Sequence, residues 1–88
     1  MNIIYDPAKN SANRAKHGVS LADAKAFEWD DALIRQDDRY AYGEVRMSAI
    51  GYIGPRLHVL VYTDRGNIRR IISLRRANKR EERHYAEA

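Results

Sequence analysis

Residues 57–75 read LHVLVYTDRGNIRRIISLR, in which two apolar, β-rich runs stand on either side of a tight turn. The first run, residues 57–63, is almost continuously apolar, as in a central strand that is covered on both faces. Residues 64–67, Asp-Arg-Gly-Asn, are typical of a hairpin turn, and residues 70–75 form the second run. The segment therefore predicts a β-hairpin at the centre of a sheet.

The flanking sequence predicts three more strands and three helices. The strands are expected at residues 2–5, 32–34 and 44–53. The helices are expected between the Asp6-Pro7 cap and Gly18, from Ser20 to about Glu28 or Trp29, and over residues 78–86. Because tight turns join the later strands, we predict an α+β fold, an antiparallel β-sheet with two N-terminal helices and one C-terminal helix, in a single domain over residues 1–88.

The composition excludes several classes of protein. There is no cysteine, which excludes disulfide scaffolds, cysteine-type zinc sites and thiol nucleophiles. No apolar run approaches the roughly 20 residues of a membrane helix, and the first residues do not resemble a signal peptide. The chain also has no glycine-rich phosphate loop and no HExxH motif, and its three histidines lie far apart. We expect a cytoplasmic protein without a metal, another cofactor or a membrane partner.

The charge is basic and unevenly distributed. The chain has 16 basic and 12 acidic residues, a net charge of +4, and arginine outnumbers lysine 12 to 4. Residues 23–44 carry a net charge of −4, whereas residues 56–83 carry +6. Guanidinium groups bind phosphate through a planar pair of donors. The distribution indicates one nucleic-acid-binding face, although a solvated surface is an equal alternative.

Because side chains alternate along a strand, polar residues of two predicted strands fall on one side of each strand. Glu44, Arg46 and Ser48 share one side of their strand, and Ser73 and Arg75 share one side of the last strand, opposite Ile72 and Leu74. If the register brings both polar sets to the same side of the sheet, arginines, a serine and a carboxylate converge on one concave surface.

The late arginines are the first candidates for chemistry. Arg65 lies in a turn and Arg75 at a strand end, where each is a candidate to stabilise charge on phosphate oxygens without a metal. On the last helix, Glu81 and Glu82 are interpreted as ion-pair partners of exposed arginines.

Other candidates have structural alternatives that the sequence leaves open. Tyr85 is a candidate for base stacking or proton transfer, or it anchors the last helix. His17, after Lys16, is a candidate for proton transfer, although the helix dipole alone accounts for cations there. Glu44 is an acid–base residue or an ion-pair partner of Arg46.

A series of short motifs runs from about residue 3 to residue 86. It consists of Tyr5-Asp6-Pro7-Ala8-Lys9, Asn13, Lys16-His17-Gly18-Val19-Ser20, Gly43-Glu44 with Arg46, Val61-Tyr62-Thr63-Asp64-Arg65, Arg70-Ile71-Ile72-Ser73-Leu74-Arg75-Arg76-Ala77, and Glu81 or Glu82 followed by Tyr85. In this order and at these spacings, the motifs resemble the BrnT family of bacterial toxins. The chain departs from the family pattern at Arg69, where isoleucine is usual.

The resemblance implies a RelE-like fold and a type II toxin that cleaves RNA and slows translation. It implies a BrnA-like ribbon-helix-helix antitoxin as partner, and contact with operator DNA only through the antitoxin complex. Carried over to this sequence, the implied catalytic residues are Arg65, Arg75, Tyr85, His17 and Glu44. The implied RNA-binding residues are Lys16, Arg46 and Arg76. The reaction expected is attack by the RNA 2′-hydroxyl, giving a 2′,3′-cyclic phosphate. The alternative is a non-catalytic module that binds nucleic acid or the antitoxin in operon autorepression.

Overall fold

The predicted hairpin lies within a sheet of five strands. The computed structural model describes residues 1–39, 41 and 43–88. Its strands are β1 (Asn2–Ile4), β2 (Leu33–Asp37), β3 (Arg46–Ile53), β4 (Arg56–Arg65) and β5 (Ile68–Arg76). Its α-helices are α1 (Pro7–His17) and α2 (Lys79–Glu87), and two 3-10 helices span Leu21–Ala26 and Trp29–Asp31. Each predicted strand is present, and the α+β class is confirmed.

The sheet is mixed rather than purely antiparallel. Its strand order is β1-β5-β4-β3-β2, and β2 to β5 pair in antiparallel fashion. β1 runs parallel to β5, with Asn2 opposite Ile68 and Ile4 opposite Arg70. The prediction of an antiparallel sheet is therefore wrong for β1. A tight hairpin forces antiparallel pairing, but the connection that leaves β1 includes α1 and leaves both directions open.

The N-terminal half has one α-helix instead of two. α1 begins where Asp6 Oδ1 accepts a 2.9 Å hydrogen bond from the Ala8 N–H, and it ends at Gly18, which has φ 70°. The predicted second helix is the short 3-10 helix Leu21–Ala26. Its buried apolar residues, Leu21 and Ala24, are spaced by three and continue to Phe27, which fits the three residues per turn of a 3-10 helix.

The 3-10 segment and α1 cover one side of the sheet, which we call the covered face. Its core contains Leu21, Leu60, Ile71 and Leu74, all fully buried. Phe27 packs so closely on Gly51 that a Cβ there would lie 2.6 Å from the ring, so this position requires glycine.

A β-bulge in β5 changes the predicted alternation. Val61 pairs with Ser73, but the next residue, Tyr62, pairs with Ile71, so Ile72 is an extra residue. Ile71, not Ile72, therefore joins Leu74 in the core.

Arg69 also belongs to the covered face and has a structural role. Its guanidinium lies 4.3 Å from the ring centroids of both Trp29 and Tyr62, and it donates two 2.8 Å hydrogen bonds to Asp64. The arginine thereby joins the second 3-10 helix to the sheet through cation–π contacts.

Asn13 holds the C-terminal half of α1 against the edge of β5. Its amide donates 2.8 Å hydrogen bonds to the carbonyls of Val19 and Leu74, and its Oδ1 accepts from the Leu74 N–H at 3.2 Å. Asn13 thus provides hydrogen-bond partners for the backbone of β5 beyond the point where β1 ends.

The opposite side of the sheet, which we call the open face, is covered at one end only. There α2 packs on an apolar cluster of Ile50, Leu57 and Val59 through Tyr85. Among the described residues, no helix is both long and apolar enough to cross a membrane.

Candidate functional site

The register brings the two predicted polar sets together on the open face. Arg35 lies opposite Ser48, Ser48 opposite Val61, and Val61 opposite Ser73. Arg75 follows in the next row of the same face, opposite Val59. Ser48, Ser73 and Arg75 therefore lie on one face, whereas Glu44, the carboxylate of the predicted sets, lies outside this group.

Two adjoining hollows occupy this face, with volumes of about 330 and 380 Å³. We call them together the arginine groove. Its two parts share Arg35, Ser48, Val59 and Glu81. One part extends to Asp37, Asp38, Arg39, Ser73 and Arg75. The other extends to Leu33, Asn78, Arg80 and His84. The groove thus lies between β2 and the start of α2, with hydroxyl and apolar groups on its floor.

Arg75 is held in the groove by a carboxylate from α2. Its Nη1 and Nη2 donate 2.8 Å hydrogen bonds to the two oxygens of Glu81, and Nη1 also donates to the Arg76 carbonyl at 3.3 Å. These bonds raise the pKa of Arg75, against burial and the nearby charge of Arg39. The guanidinium is fixed in orientation while 36% of the side chain stays exposed.

The Arg75–Glu81 pair leaves one edge of the guanidinium available. Arginine has five N–H donors in a plane, and the two that face Glu81 form the end of the group. Within the described part of the chain, no hydrogen bond from the Nε–H of Arg75 is present. Nε–H and the outer Nη2 hydrogen point the same way, which is the arrangement that binds two oxygens of a phosphate.

Glu81 is fixed from two sides and is ionised at neutral pH. It occupies the third position of α2, where its Oε1 accepts a 2.9 Å hydrogen bond from the Asn78 N–H. Hydrogen bonds from Arg75 lower the pKa of Glu81, and the charge of Arg35 adds to this effect. The sequence interpretation of Glu81 as a partner of exposed helix arginines is therefore wrong. The Asn78-x-x-Glu81 capping box was the signal that places this carboxylate at the start of α2.

Three further arginines line the groove: Arg35 and Arg39, which the sequence did not indicate, and Arg80, which the sequence indicated as an exposed ion-pair partner. Arg35 and Arg80 lie in its walls, and Arg39 donates hydrogen bonds of 2.9 and 3.0 Å to Asp37. Arg35 was missed because it lies in the acidic part of the chain, where only pairing with β3 reveals its face.

His17 and Lys16 lie in the last turn of α1. Burial, the charge of Lys16 and the charge of Arg75 lower the pKa of His17, in that order. Neither residue is among the described residues that line the groove.

Arg65 lies at the far end of the sheet from Arg75. Arg75 pairs with Val59, and the six residues from Val59 to Arg65 span roughly 20 Å at about 3.3 Å per residue. Arg65 and Arg75 are both sequence candidates to stabilise charge on phosphate oxygens, and this separation places them in different hollows rather than in one pocket. The two ends of a hairpin strand cannot meet without bending the sheet.

Glu44 accompanies Arg65 and not Arg75. Its carboxylate lies 3.2 Å from Arg70 and 3.5 Å from Arg46, so it acts as an ion-pair partner, the alternative that the sequence left open. Arg46 lies opposite Asp37 in the sheet.

Tyr85 anchors α2. Its hydroxyl donates a 2.9 Å hydrogen bond to the Asp31 carbonyl, and its ring meets Tyr52 edge-on with centroids 5.6 Å apart. This contact fits the anchoring alternative that the sequence left open, and base stacking or proton transfer by Tyr85 stays a prediction. Arg76 lies opposite the buried His58 and contributes its carbonyl to Arg75.

The groove therefore combines an oriented guanidinium, an ionised carboxylate, two serine hydroxyls and a histidine. Such a set can bind a phosphodiester and exchange protons with it. No group of three or more metal-ligating side chains occurs among the described residues.

Comparison with known proteins identifies one family. A model of the family described as "Ribonuclease toxin, BrnT, of type II toxin-antitoxin system" matches residues 5–81. A search of curated proteins finds no match.

Proposed function

Because the chain belongs to the BrnT family of ribonuclease toxins from type II toxin–antitoxin systems, we propose that it cleaves RNA in the arginine groove without a metal ion. The observation that carries this proposal is the orientation of Arg75. Glu81 holds the end of its guanidinium through Nη1 and Nη2, and within the described part of the chain no hydrogen bond occupies the Nε–H, so the edge formed by Nε and Nη2 can bind a phosphate.

The chemistry needs little beyond positioning and charge. The RNA supplies its own nucleophile, since the 2′-hydroxyl attacks the adjacent phosphate and the 5′-oxygen leaves, giving a 2′,3′-cyclic phosphate. Arg75 binds the nonbridging oxygens and stabilises the charge that they gain. Arg35 and Arg80, in the groove walls, hold the neighbouring phosphates of the strand.

A type II family implies a protein antitoxin as partner. We propose a BrnA-like ribbon-helix-helix antitoxin that blocks the arginine groove or its rim, with operator DNA bound through the complex. The support is charge complementarity, since a groove with several arginines attracts an acidic segment.

The test is cleavage of RNA by the purified protein in EDTA, with Arg75→Ala as the test variant and Arg83→Ala as its control. Arg83 is an exposed arginine on α2. Removing a group that stabilises transition-state charge costs roughly 10²–10³ in kcat. We expect that loss in Arg75→Ala and wild-type cleavage in Arg83→Ala. Equal cleavage by both variants, or cleavage that EDTA abolishes, would contradict the proposal. Salt-sensitive binding of RNA by the wild type without any product would favour the alternative, a non-catalytic binding module.

A further inference from the structure

Glu81 and His84 lie on the same side of α2. They are three residues apart, which is about one helical turn, and both line the part of the arginine groove that also contains Arg35 and Ser48. Neither residue is among the candidates for proton transfer that the sequence indicates.

We propose that Glu81 is the general base and His84 the general acid of the RNA cleavage reaction. This inference rests on the proposed ribonuclease function and names the two groups that move its protons.

Position singles out Glu81 as the base. A phosphate bound to the free edge of Arg75 lies next to Glu81, because one planar guanidinium contacts both groups. The attacking 2′-hydroxyl is attached to the ribose on that phosphate, so it lies within reach of the same carboxylate. Glu44, the carboxylate favoured by the sequence, is held by Arg70 and Arg46 in another part of the sheet.

The groups around Glu81 set its charge before RNA binds. Arg75 on β5 lowers the pKa of the carboxyl through hydrogen bonds and charge, the Asn78 N–H and the charge of Arg35 on β2 lower it further, and Arg80 and His84 line the same hollow. The carboxylate is therefore ionised and able to accept a proton. When phosphate binds Arg75 it partly neutralises the guanidinium, which raises the affinity of Glu81 for a proton at the time it is needed.

His84 is the histidine of the groove itself. It lines the same hollow as Arg35, Arg80 and Glu81, whereas His17 does not line the groove. A protonated imidazole can donate a proton, which is the chemistry that a general acid requires.

The proton balance of the step is complete. Glu81 takes the proton from the 2′-hydroxyl as the bond between the 2′-oxygen and phosphorus forms. The bond between phosphorus and the 5′-oxygen breaks, and the 5′-oxygen takes a proton from the imidazolium of His84. Solvent then removes the proton from Glu81 and returns one to His84, so neither oxidant nor reductant is required.

The experiment compares two RNA substrates with Glu81→Gln, His84→Asn and a control, Glu82→Gln. One substrate has the natural 5′-oxygen at the cleaved link, and the other has sulfur there, whose thiolate leaves without protonation. Glutamine keeps acceptor oxygen for Arg75 and Asn78, so folding is expected to persist, and thermal melting checks it. Glu82 is the exposed neighbour of Glu81.

We expect Glu81→Gln and His84→Asn each to lower kcat on the oxygen substrate by roughly 10²–10⁴. On the sulfur substrate, His84→Asn should recover to near wild-type rates, whereas Glu81→Gln should stay slow. Both should bind a 2′-deoxy analogue as the wild type does, and Glu82→Gln should cleave normally.

Several results would overturn the inference while leaving ribonuclease function intact. A normal kcat in Glu81→Gln would exclude Glu81 as the base. Failure of the sulfur substrate to rescue His84→Asn would exclude His84 as the acid. Loss of binding of the 2′-deoxy analogue by Glu81→Gln would assign Glu81 a positioning role. If the wild type cleaves neither substrate, the proposed function itself fails and this inference falls with it.

Discussion

Replacing Arg75 by lysine separates the charge of this residue from the geometry of its donors. The guanidinium donates two bonds to Glu81, and in the proposed reaction its Nε–H and outer Nη2 hydrogen form a second parallel pair that binds phosphate. An ammonium keeps the positive charge but has three donors around one nitrogen, so it cannot make both parallel pairs. Attraction of RNA should persist, while the bond pattern around the reacting phosphate is lost.

The size of the effect follows from the bonds removed. Loss of one charge-assisted hydrogen bond costs roughly 1.5–3 kcal/mol, which corresponds to a loss of about 10- to 150-fold in kcat/KM. Arg75→Lys should therefore lie between the wild type and Arg75→Ala.

The assay is steady-state cleavage of a fluorogenic RNA oligonucleotide in EDTA at fixed ionic strength, with thermal melting to check the fold. If Arg75→Lys retains activity within about threefold of the wild type, charge alone suffices and the argument from two donor pairs is refuted.

Three further predictions concern stability and the helix anchor. Tyr85→Phe should lower the free energy of unfolding by about 1 kcal/mol in urea titration and keep cleavage, because only one hydrogen bond is lost; a large loss of kcat would restore Tyr85 to catalysis. Asn13→Ala should lower the free energy of unfolding by at least about 2 kcal/mol, since it leaves both backbone groups of Leu74 without their hydrogen-bond partner. A loss below about 0.5 kcal/mol would show that other groups replace Asn13 as partners of Leu74. The lowered pKa of Glu81 stabilises the fold at and above the ordinary carboxyl pKa of about 4.3, and this contribution is lost as pH falls through the lowered value. The stability difference between wild type and Glu81→Gln should therefore shrink in acid, and a difference that grows below pH 4 would contradict the assigned ion pair.

Local patterns in the sequence predict much of this fold. Alternation within each strand is set by backbone geometry, so Ser48, Ser73 and Arg75 could be assigned to one face once the register was assumed. The capping residues Asp6 and Gly18 likewise allowed both ends of α1 to be predicted, since capping depends on local backbone geometry. The 3-10 helix was open to prediction as well, because Leu21 and Ala24 already show its period of three.

Other features depend on distant parts of the chain. The parallel direction of β1 and the extra residue Ile72 arise from packing that no local pattern encodes. The separation of Arg65 from Arg75 could have been foreseen, since one residue lies at the hairpin turn and the other near the far end of β5. Arg65 and Arg75 were both candidates because both are arginines in the late, basic part of the chain, whereas the hairpin places them at opposite ends of the sheet.

The site of RNA contact is measured most directly by NMR titration of the ¹⁵N-labelled protein with a 2′-deoxy oligonucleotide that cannot be cleaved. Our account predicts that the largest amide shifts fall at the arginine groove, at Arg35, Ser48, Ser73, Arg75 and Glu81, and that Arg65 changes little. Shifts concentrated around Arg65 and Arg70, with the groove unaffected, would contradict it.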